Sequence, residues 1–513
     1  MLSFLLVWLL TIGLSFLPER YLKPQRPTLN LTTFLLQSLL VSMVFLSITL
    51  IVQRPVFASL AVLIFLIILI GVSNAKYQAL REPMVFSDFA MFAQAFKHPR
   101  LYFPFLGLLP VILAPIIIIG LIIAVMWLEP PLPLSWQRII STLGGILIAY
   151  YIARKLALSL TITGNPAADN ARFGLQNSLF AYFEQARTAQ HKEQVSKALG
   201  FSPFAIEKSC FKYTPPPLFT HFSETKPNIT VIQSESFFDA RRLHPAIKQD
   251  VLHHFDQISK DAIQSGKLQV PAWGANTMRS EFSFLTGLDF KAMGLYRYYP
   301  YQFLHKLPIS SIASALKSLG YYCVCIHPHH ASFFGRDHVF PQMGFDEFIA
   351  IDAFDPDDKC GPYISDQAVT QKILDVTQQK TDQPLFIFAI TMENHGPLYL
   401  EKIREDEFKQ FFHATSPAPA YPQHNDLAIY LRHLKNADNM LATLTTAYAK
   451  ASQETRLCFY GDHVPSMPVI FEQFDYQDNH SDYLIWHSHR TATTQQQDIR
   501  IEELAVQLIS DFN

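Results

Sequence analysis

The chain has 513 residues, 49% of them hydrophobic and only 16% charged, with a formal net charge of −2. Soluble domains average about 25% charged residues. These values exclude a disordered chain and a basic nucleic-acid binder, and the length allows two to four domains with a sizeable core.

The composition is uneven. Of 19 histidines only His98 precedes residue 160, and all five cysteines follow it. An odd cysteine count with no C-x-x-C argues against a disulfide framework or a zinc ribbon.

In chain order, five apolar stretches come first, over residues 2–17, 31–52, 56–72, 103–127 and 139–153. A spanning helix needs about 20 apolar residues, with a lower limit near 17. The first stretch lacks the basic leader and small-residue cleavage site of a signal peptide, so a retained helix is expected. Residues 73–101 mix charge with Phe, Met and Tyr, which fits an interfacial segment and a plain loop equally. Five spans put the termini on opposite sides of a membrane. With the C-terminal part outside, the outer loops carry Arg20, Lys23, Arg26, Lys76, Arg81, Lys97 and Arg100, against Arg54 and Arg138 inside. That runs against the positive-inside rule, and lipid-headgroup binding by the outer loops is one account of it.

Residues 161–225 read as a juxtamembrane connector, with helical spacing over 177–190 and a proline break at Thr214–Leu218. From residue 226 onward the pattern alternates strand and helix. Strands are expected at 229–233, 321–326, 385–391 and 457–460, with helices between them at 309–319 and 365–379. Such alternation predicts a mostly parallel sheet with helices on both faces.

Each expected strand ends in polar, chemically capable residues: Ser234-Glu235-Ser236, His327-Pro328-His329-His330, Glu393-Asn394-His395-Gly396 and Gly461-Asp462-His463. Ligands of open α/β sheets bind at the carboxyl ends of the strands. Glu235, Asp462 and His463 offer hard oxygen and borderline nitrogen ligands suited to Mn²⁺, Mg²⁺ or Zn²⁺. A metal also activates a nearby hydroxyl, and the segment Gly274–Phe282 supplies candidates. Spacing alone leaves Thr277, Ser280 and Ser283 open. Glu281 and Ser280 are further candidates to cap or orient this segment. Trp273 is expected to pack, and His329, His330 and His338 to lie at the surface. Cys323 and Cys325 share a strand face but lie too far apart to pair easily.

With these residues on the page, the sequence resembles the lipoteichoic acid synthase-like phosphoglycerol transferases of the alkaline phosphatase and sulfatase superfamily. The motifs NITVIQSESFFD, GANTMRSEFSFLTGL, IHPHHASFFGRDHVFPQMGFDEF, TMENHGPL and YGDH occur in that family's order. The resemblance implies a five-span α-helical membrane domain over 1–160, a connector over 161–225 and an alkaline-phosphatase-like α/β catalytic domain over 226–513. It implies Glu235, Thr277, Asp462 and His463 as metal ligands, with Mn²⁺ foremost and Mg²⁺ or Zn²⁺ as other candidates. Thr277 is then also the nucleophile and His395 the second catalytic residue, while Arg336, His327 and Phe334 hold substrate. Phe334 stands where that family often has Trp, and the His327–His330 run departs from its small polar run. The implied reaction moves phosphoglycerol from phosphatidylglycerol to an envelope glycan or polymer through a phospho-threonine. The protein would sit in the cytoplasmic (inner) membrane as a multi-pass chain with an extracytoplasmic catalytic domain and no nucleic-acid partner. Phosphoethanolamine transferases share this plan with a different nucleophile segment and, with a phosphodiesterase of the same superfamily, form the second reading; a non-catalytic membrane scaffold is the reading from another class.

Overall fold

The computed structural model describes residues 2–23, 30–91, 108–133, 135–205, 226–304, 307, 309–380, 382–413, 419–489 and 494–510, without the side chains of 2, 108–115 and 117. The chain divides into two compact units, Met1–Lys192 and Glu193–Asn513.

The first unit is helical: α1 (Leu2–Leu14), α2 (Leu31–Val52), α3 (Pro55–Leu80), α4 (Leu108–Leu128), α5 (Trp136–Ser159), α6 (Pro166–Phe173) and α7 (Leu175–Ala186). Among the described residues, four stretches are long and apolar enough to cross a membrane: Ser3–Tyr21, Leu31–Val52, Pro55–Leu80 and Trp136–Ser159. The expected fifth span is therefore not among them. Helix α4 stands in the place of the stretch over 103–127, but its described apolar part is the shorter Ile118–Leu128. Residues 103–107 lie outside the described residues.

Local chemistry sets the ends of these helices. Asn30 and Thr33 form a reciprocal cap on α2, and Gln53 ends it in the left-handed conformation. Pro55 opens α3, where its missing N–H costs nothing. Helix α3 runs to Leu80, past the expected end at 72. Ser73 there accepts the Met84 N–H (3.1 Å), and Lys76 pairs with Glu82 (2.9 Å) and Asp88 (2.7 Å). The expected interfacial segment thus begins as helix, and its part over 92–101 lies outside the described residues. Polar side chains inside the bundle pair across helices: Thr11 with Ser59 (2.7 Å), Trp8 with Ser42 (3.0 Å) and Gln37 with the Ser15 carbonyl (3.1 Å).

Part of the expected connector packs within this unit. Leu175, Leu179, Tyr182 and Ala186 give α7 a buried face. Tyr182 donates to Asp169 of α6 (2.6 Å), and Glu184 accepts from Tyr150 (2.9 Å) and Arg154 (3.0 Å) of α5. Helix α8 (Ala189–Leu199) crosses the division between the units, and residues 206–225 lie outside the described residues.

The second unit holds β1 (Asn228–Ser234), β2 (Gln264–Gln269), β3 (Tyr322–Ile326), β4 (Glu347–Ile349), β5 (Lys359–Cys360), β6 (Tyr363–Ile364), β7 (Leu385–Ile390), β8 (Thr455–Gly461), β9 (Ser481–His487), β10 (Gln495–Gln496) and β11 (Ile499–Arg500). The main sheet runs β10-β2-β9-β8-β1-β7-β3-β4, with β11 also on β2, while β5 and β6 form a separate hairpin. Strands β8, β1, β7, β3 and β4 are mutually parallel, and β9 is antiparallel to both β8 and β2.

Its helices include α9 (His253–Asp261), α10 (Thr277–Thr286), α11 (Ile312–Ser318), α12 (Arg336–Gln342), α13 (Asp366–Gln379), α14 (Asn425–Lys450) and α15 (Ile501–Ser510). They cover both sheet faces. Ile387, Ala389, Leu457 and Phe459 join a core cluster with Leu427, Leu434 and Leu441 of α14. The alternate residues Phe388 and Tyr460 stack on Phe284 of α10, with centroids 5.7 and 5.0 Å apart. Strands β1, β7 and β8 are buried on both faces, and β7, LFIFAI, is wholly apolar.

Candidate active site

The site begins with register. Strands β1 and β8 pair with Ser234 opposite Gly461, so the next residues, Glu235 and Asp462, leave the sheet side by side. Strand β7 flanks β1 on the other side, with Ile390 opposite Gln233. The Glu235 N–H donates to Thr391 (3.0 Å), and the Ser236 N–H donates to Asp462 Oδ1 (2.9 Å). Ser236 takes a positive φ of 57°, and its hydroxyl donates to Glu235 (2.9 Å). Helix α10 supplies the hydroxyl group. Gly274 and Asn276, both at positive φ, turn the chain so that Thr277 opens the helix, all ten residues of which are buried. The Gly274 N–H donates to the Val464 carbonyl (3.0 Å), and Ser280 donates to the Asp462 carbonyl (2.6 Å), tying α10 to the β8 end.

Around His463 Nε2 lie Asp462 Oδ2 at 3.3 Å, Thr277 Oγ1 at 3.5 Å and Glu235 Oε1 at 3.6 Å. Atoms sharing a tetrahedral ion at about 2.1 Å stand about 3.4 Å apart, longer than good hydrogen bonds. Asp462 Oδ2 is buried with no hydrogen-bond partner among the described residues. His463 Nδ1 donates to the Val464 carbonyl (3.0 Å), which turns the Nε2 lone pair toward the carboxylates. Burial, then the charge of Asp462, pushes the Glu235 carboxyl up to about 8. Two buried carboxylates with an orphaned oxygen and an imidazole lone pair fit a divalent cation.

Gly461 sets the approach of this centre. A Cβ there would overlap the Phe237 carbonyl oxygen, so only glycine lets the β8 end lie against the turn after β1. Gly461→Ala is expected to push Asp462 and His463 out of register and to weaken divalent-cation binding at least tenfold, read by metal titration. Unchanged affinity would contradict this packing argument.

Arg336, His327 and Phe334 form a second group. Arg336 lies 1% exposed and meets Glu281, 0% exposed, through Nε (3.0 Å) and Nη2 (2.9 Å). Its Nη1 donates to His327 Nε2 (3.2 Å), while His327 Nδ1 donates to the Ile390 carbonyl (3.2 Å). Burial first, then the Arg336 charge, lowers the His327 pKa well below its usual value, which fixes this neutral tautomer. Phe334 lies under the guanidinium, 5.2 Å from ring centroid to Cζ, with a positive φ of 59°. A guanidinium carries five N–H donors. Glu281 and His327 take three, leaving one N–H on each Nη without a partner among the described residues. Glu281, expected to cap or orient the nucleophile segment, instead binds Arg336 and accepts from Tyr301 (2.6 Å).

His395 follows β7. Its Nδ1 donates to the Gly396 carbonyl (2.7 Å), leaving Nε2 as the lone-pair nitrogen, and Tyr363 packs beside the ring at 5.3 Å. Burial lowers its pKa, and the Gly396 carbonyl and Asp462 partly offset that. Trp273 packs edge-on to Phe471 (5.1 Å). His330 and His338 are exposed, but His329 is buried against Phe333 (4.7 Å), which corrects the surface expectation. Its bulky aromatic neighbour, four residues on, closes over it. Ser236 and Asn394, named at the strand ends without a role, also belong here: Ser236 donates to Glu235, and both amide atoms of Asn394 are buried without a hydrogen-bond partner among the described residues.

Residues 227–510 match the family described as Sulfatase. The chain is 29% identical over 449 residues to "Capsular polysaccharide biosynthesis protein RkpI" of Rhizobium meliloti (strain 1021), covering 84% of this chain and 77% of that protein. Among solved structures, the lipooligosaccharide phosphoethanolamine transferase A (EptA) of Neisseria meningitidis, an integral membrane protein, superposes with a TM-score of 0.52 at 13% identity. That alignment covers 99% of this chain and 95% of EptA, a likeness of fold. The Streptococcus pyogenes phosphoglycerol transferase GacH aligns with a TM-score of 0.47 at 20% identity, over 62% of this chain and 78% of GacH.

Proposed function

This chain belongs to the sulfatase family, and from that premise we propose that it moves phosphoglycerol from phosphatidylglycerol to a hydroxyl of a cell-envelope glycan or polymer. The observation that carries this reading is the Thr277 hydroxyl lying 3.5 Å from His463, in the same cluster as Glu235 and Asp462. The ordered motifs around those residues favour the glycerol headgroup. The capsular polysaccharide role in the name of the Rhizobium relative favours a glycan acceptor.

In this mechanism Glu235, Thr277, Asp462 and His463 would hold a divalent ion, Mn²⁺ foremost, with Mg²⁺ and Zn²⁺ as alternatives. Such an ion acidifies a hydroxyl and offsets charge on phosphoryl oxygens. Thr277 Oγ1 attacks phosphorus, the bond to the diacylglycerol oxygen breaks, and that oxygen takes up a proton. An acceptor hydroxyl then displaces Thr277 and loses its proton. His395 Nε2 is the group for proton movement in these steps, because its other nitrogen is committed to Gly396. The two unpaired N–H groups of Arg336 meet the phosphoryl oxygens, and Phe334 and His327 hold the guanidinium flat and oriented. The reaction occurs on the outer side of the cytoplasmic membrane, where the N-terminal helices keep the catalytic unit near its lipid donor.

The test is diacylglycerol release by the detergent-purified full chain with Mn²⁺, offered labelled phosphatidylglycerol or phosphatidylethanolamine. Release from phosphatidylglycerol at least tenfold faster is expected. Preference for phosphatidylethanolamine would replace the donor, and silence with both lipids despite bound Mn²⁺ would favour a scaffold. A C-terminal tag protected from protease in intact cells would overturn the outward orientation.

A further inference from the structure

His433 comes from the middle of α14 and has no part in the reaction above. It is fully buried, and both ring nitrogens face carboxylates: Nδ1 meets Glu393 Oε1 at 2.8 Å and Nε2 meets Glu401 Oε1 at 2.9 Å. A carboxylate accepts and does not donate, so both nitrogens carry protons and the ring is an imidazolium. Burial disfavours that charge, but Cys360, Glu393 and Glu401 outweigh it and raise the pKa to about 11.

The two carboxylates bracket the loop that carries His395. At its near end, Glu393 accepts also from Asn436 of α14 (2.6 Å) and from the Asp366 N–H at the start of α13 (2.7 Å). At its far end, Glu401 pairs with Arg432, and its carbonyl accepts from Asn425 (3.0 Å), which in turn accepts the Ile403 N–H (3.1 Å). From the other side, Tyr363 of the β5–β6 hairpin donates to the Gly396 carbonyl (3.2 Å), the same carbonyl that holds His395.

Cys360 Sγ, Glu393 and His433 also lie within 4.8 Å of one another, a grouping with the donor types of a second cation site. The spacing excludes that use. The 2.8 Å between Glu393 and His433 Nδ1 is a charge-assisted hydrogen bond, whereas atoms sharing an ion stand about 3.4 Å apart, as they do around His463.

We propose that His433 is a positioning residue, an imidazolium clamp that joins Glu393 to Glu401 and so fixes the intervening loop with His395 aimed at the reacting phosphoryl group. The inference rests on His395 acting there, as proposed above. Without the clamp, buried Glu393 and partly buried Glu401 lose the cation between them, and the intervening loop loses its fixed geometry.

A double-mutant cycle tests it, with turnover of labelled phosphatidylglycerol by the full chain in detergent at saturating Mn²⁺. His433→Gln is expected to lower kcat ten- to a hundredfold with KM and Mn²⁺ affinity within about twofold. Combined with His395→Asn, it is expected to lower kcat no further than His395→Asn alone, because both losses run through one ring. Losses that multiply, a wild-type kcat for His433→Gln, or weakened Mn²⁺ binding would each overturn the clamp. A wild-type kcat for His395→Asn would instead overturn the role of His395 and the clamp with it. If His433→Gln fails to fold, Glu401→Leu takes its place, keeping the Glu393 bond and removing the far acceptor, with the same non-additivity expected.

Discussion

Thr277→Ala is expected to lower diacylglycerol release from phosphatidylglycerol by roughly a thousandfold or more. No other hydroxyl of α10 is placed to substitute. Ser280 is committed to the Asp462 carbonyl, and Ser283 lies a further turn along the buried helix. Thr277→Ser keeps the oxygen and loses one methyl, so it should retain most of the rate. Neither change should alter the fold, since the carboxylates and His463 are placed by β1 and β8. Release of labelled lipid in a single turnover, with the phosphoglycerol adduct followed by mass spectrometry, measures both. Release by Thr277→Ala within tenfold of wild type would remove Thr277 from the reaction.

The second large effect concerns stability. Glu281→Ala would leave the Arg336 guanidinium 1% exposed with its carboxylate gone, and Tyr301 without its acceptor. Removing one partner of a buried pair costs about 3–5 kcal/mol, because the remaining charge cannot reach water. The full chain in detergent should therefore melt several degrees lower. The double change Glu281→Leu with Arg336→Met removes both charges and should recover most of that loss, yet stay inactive for want of the guanidinium proposed to hold the phosphoryl group. An unshifted melting point for Glu281→Ala would refute the pairing. Activity in the double variant would remove Arg336 from substrate binding.

Much of this arrangement was legible in the chain. The run LFIFAI reads as a strand buried on both faces, and it is one. The polar groups after β1, β7 and β8 point to a site because parallel strands deliver their carboxyl ends together. Other parts carry no local signal. Strand β2, QSGKLQ, is polar and only partly buried, so neither periodicity nor hydropathy marks it. Strand β9, SDYLIWH, follows a helix of only six residues, Pro468–Gln473, too short for periodicity to mark the strand–helix alternation. The partnership of Glu281 with Arg336 spans 55 residues, and that of His433 with Glu393 spans 40; such pairs exist only once the helices have docked. In the membrane unit, Val72 reads as a natural end to the third span. Ser73 and Lys76 continue it with partners from the following loop, Met84, Glu82 and Asp88, and Asn74 with the Tyr21 carbonyl and Lys23 N–H.

The central position of β1 also governs when this domain can form. Asn228 and Gln233 find partners in Leu385 and Tyr460, 157 and 227 residues further on. As the chain emerges, β1 is the first strand made and among the last to be paired on both edges. Until Thr455–Gly461 arrives, an apolar strand stands with an open ladder, a template for misassembly. Contacts so distant in sequence make folding slow and leave collapse until synthesis is nearly complete. A chain cut short before Thr455 would therefore be a substrate for envelope chaperones and proteases rather than a smaller, partly working enzyme.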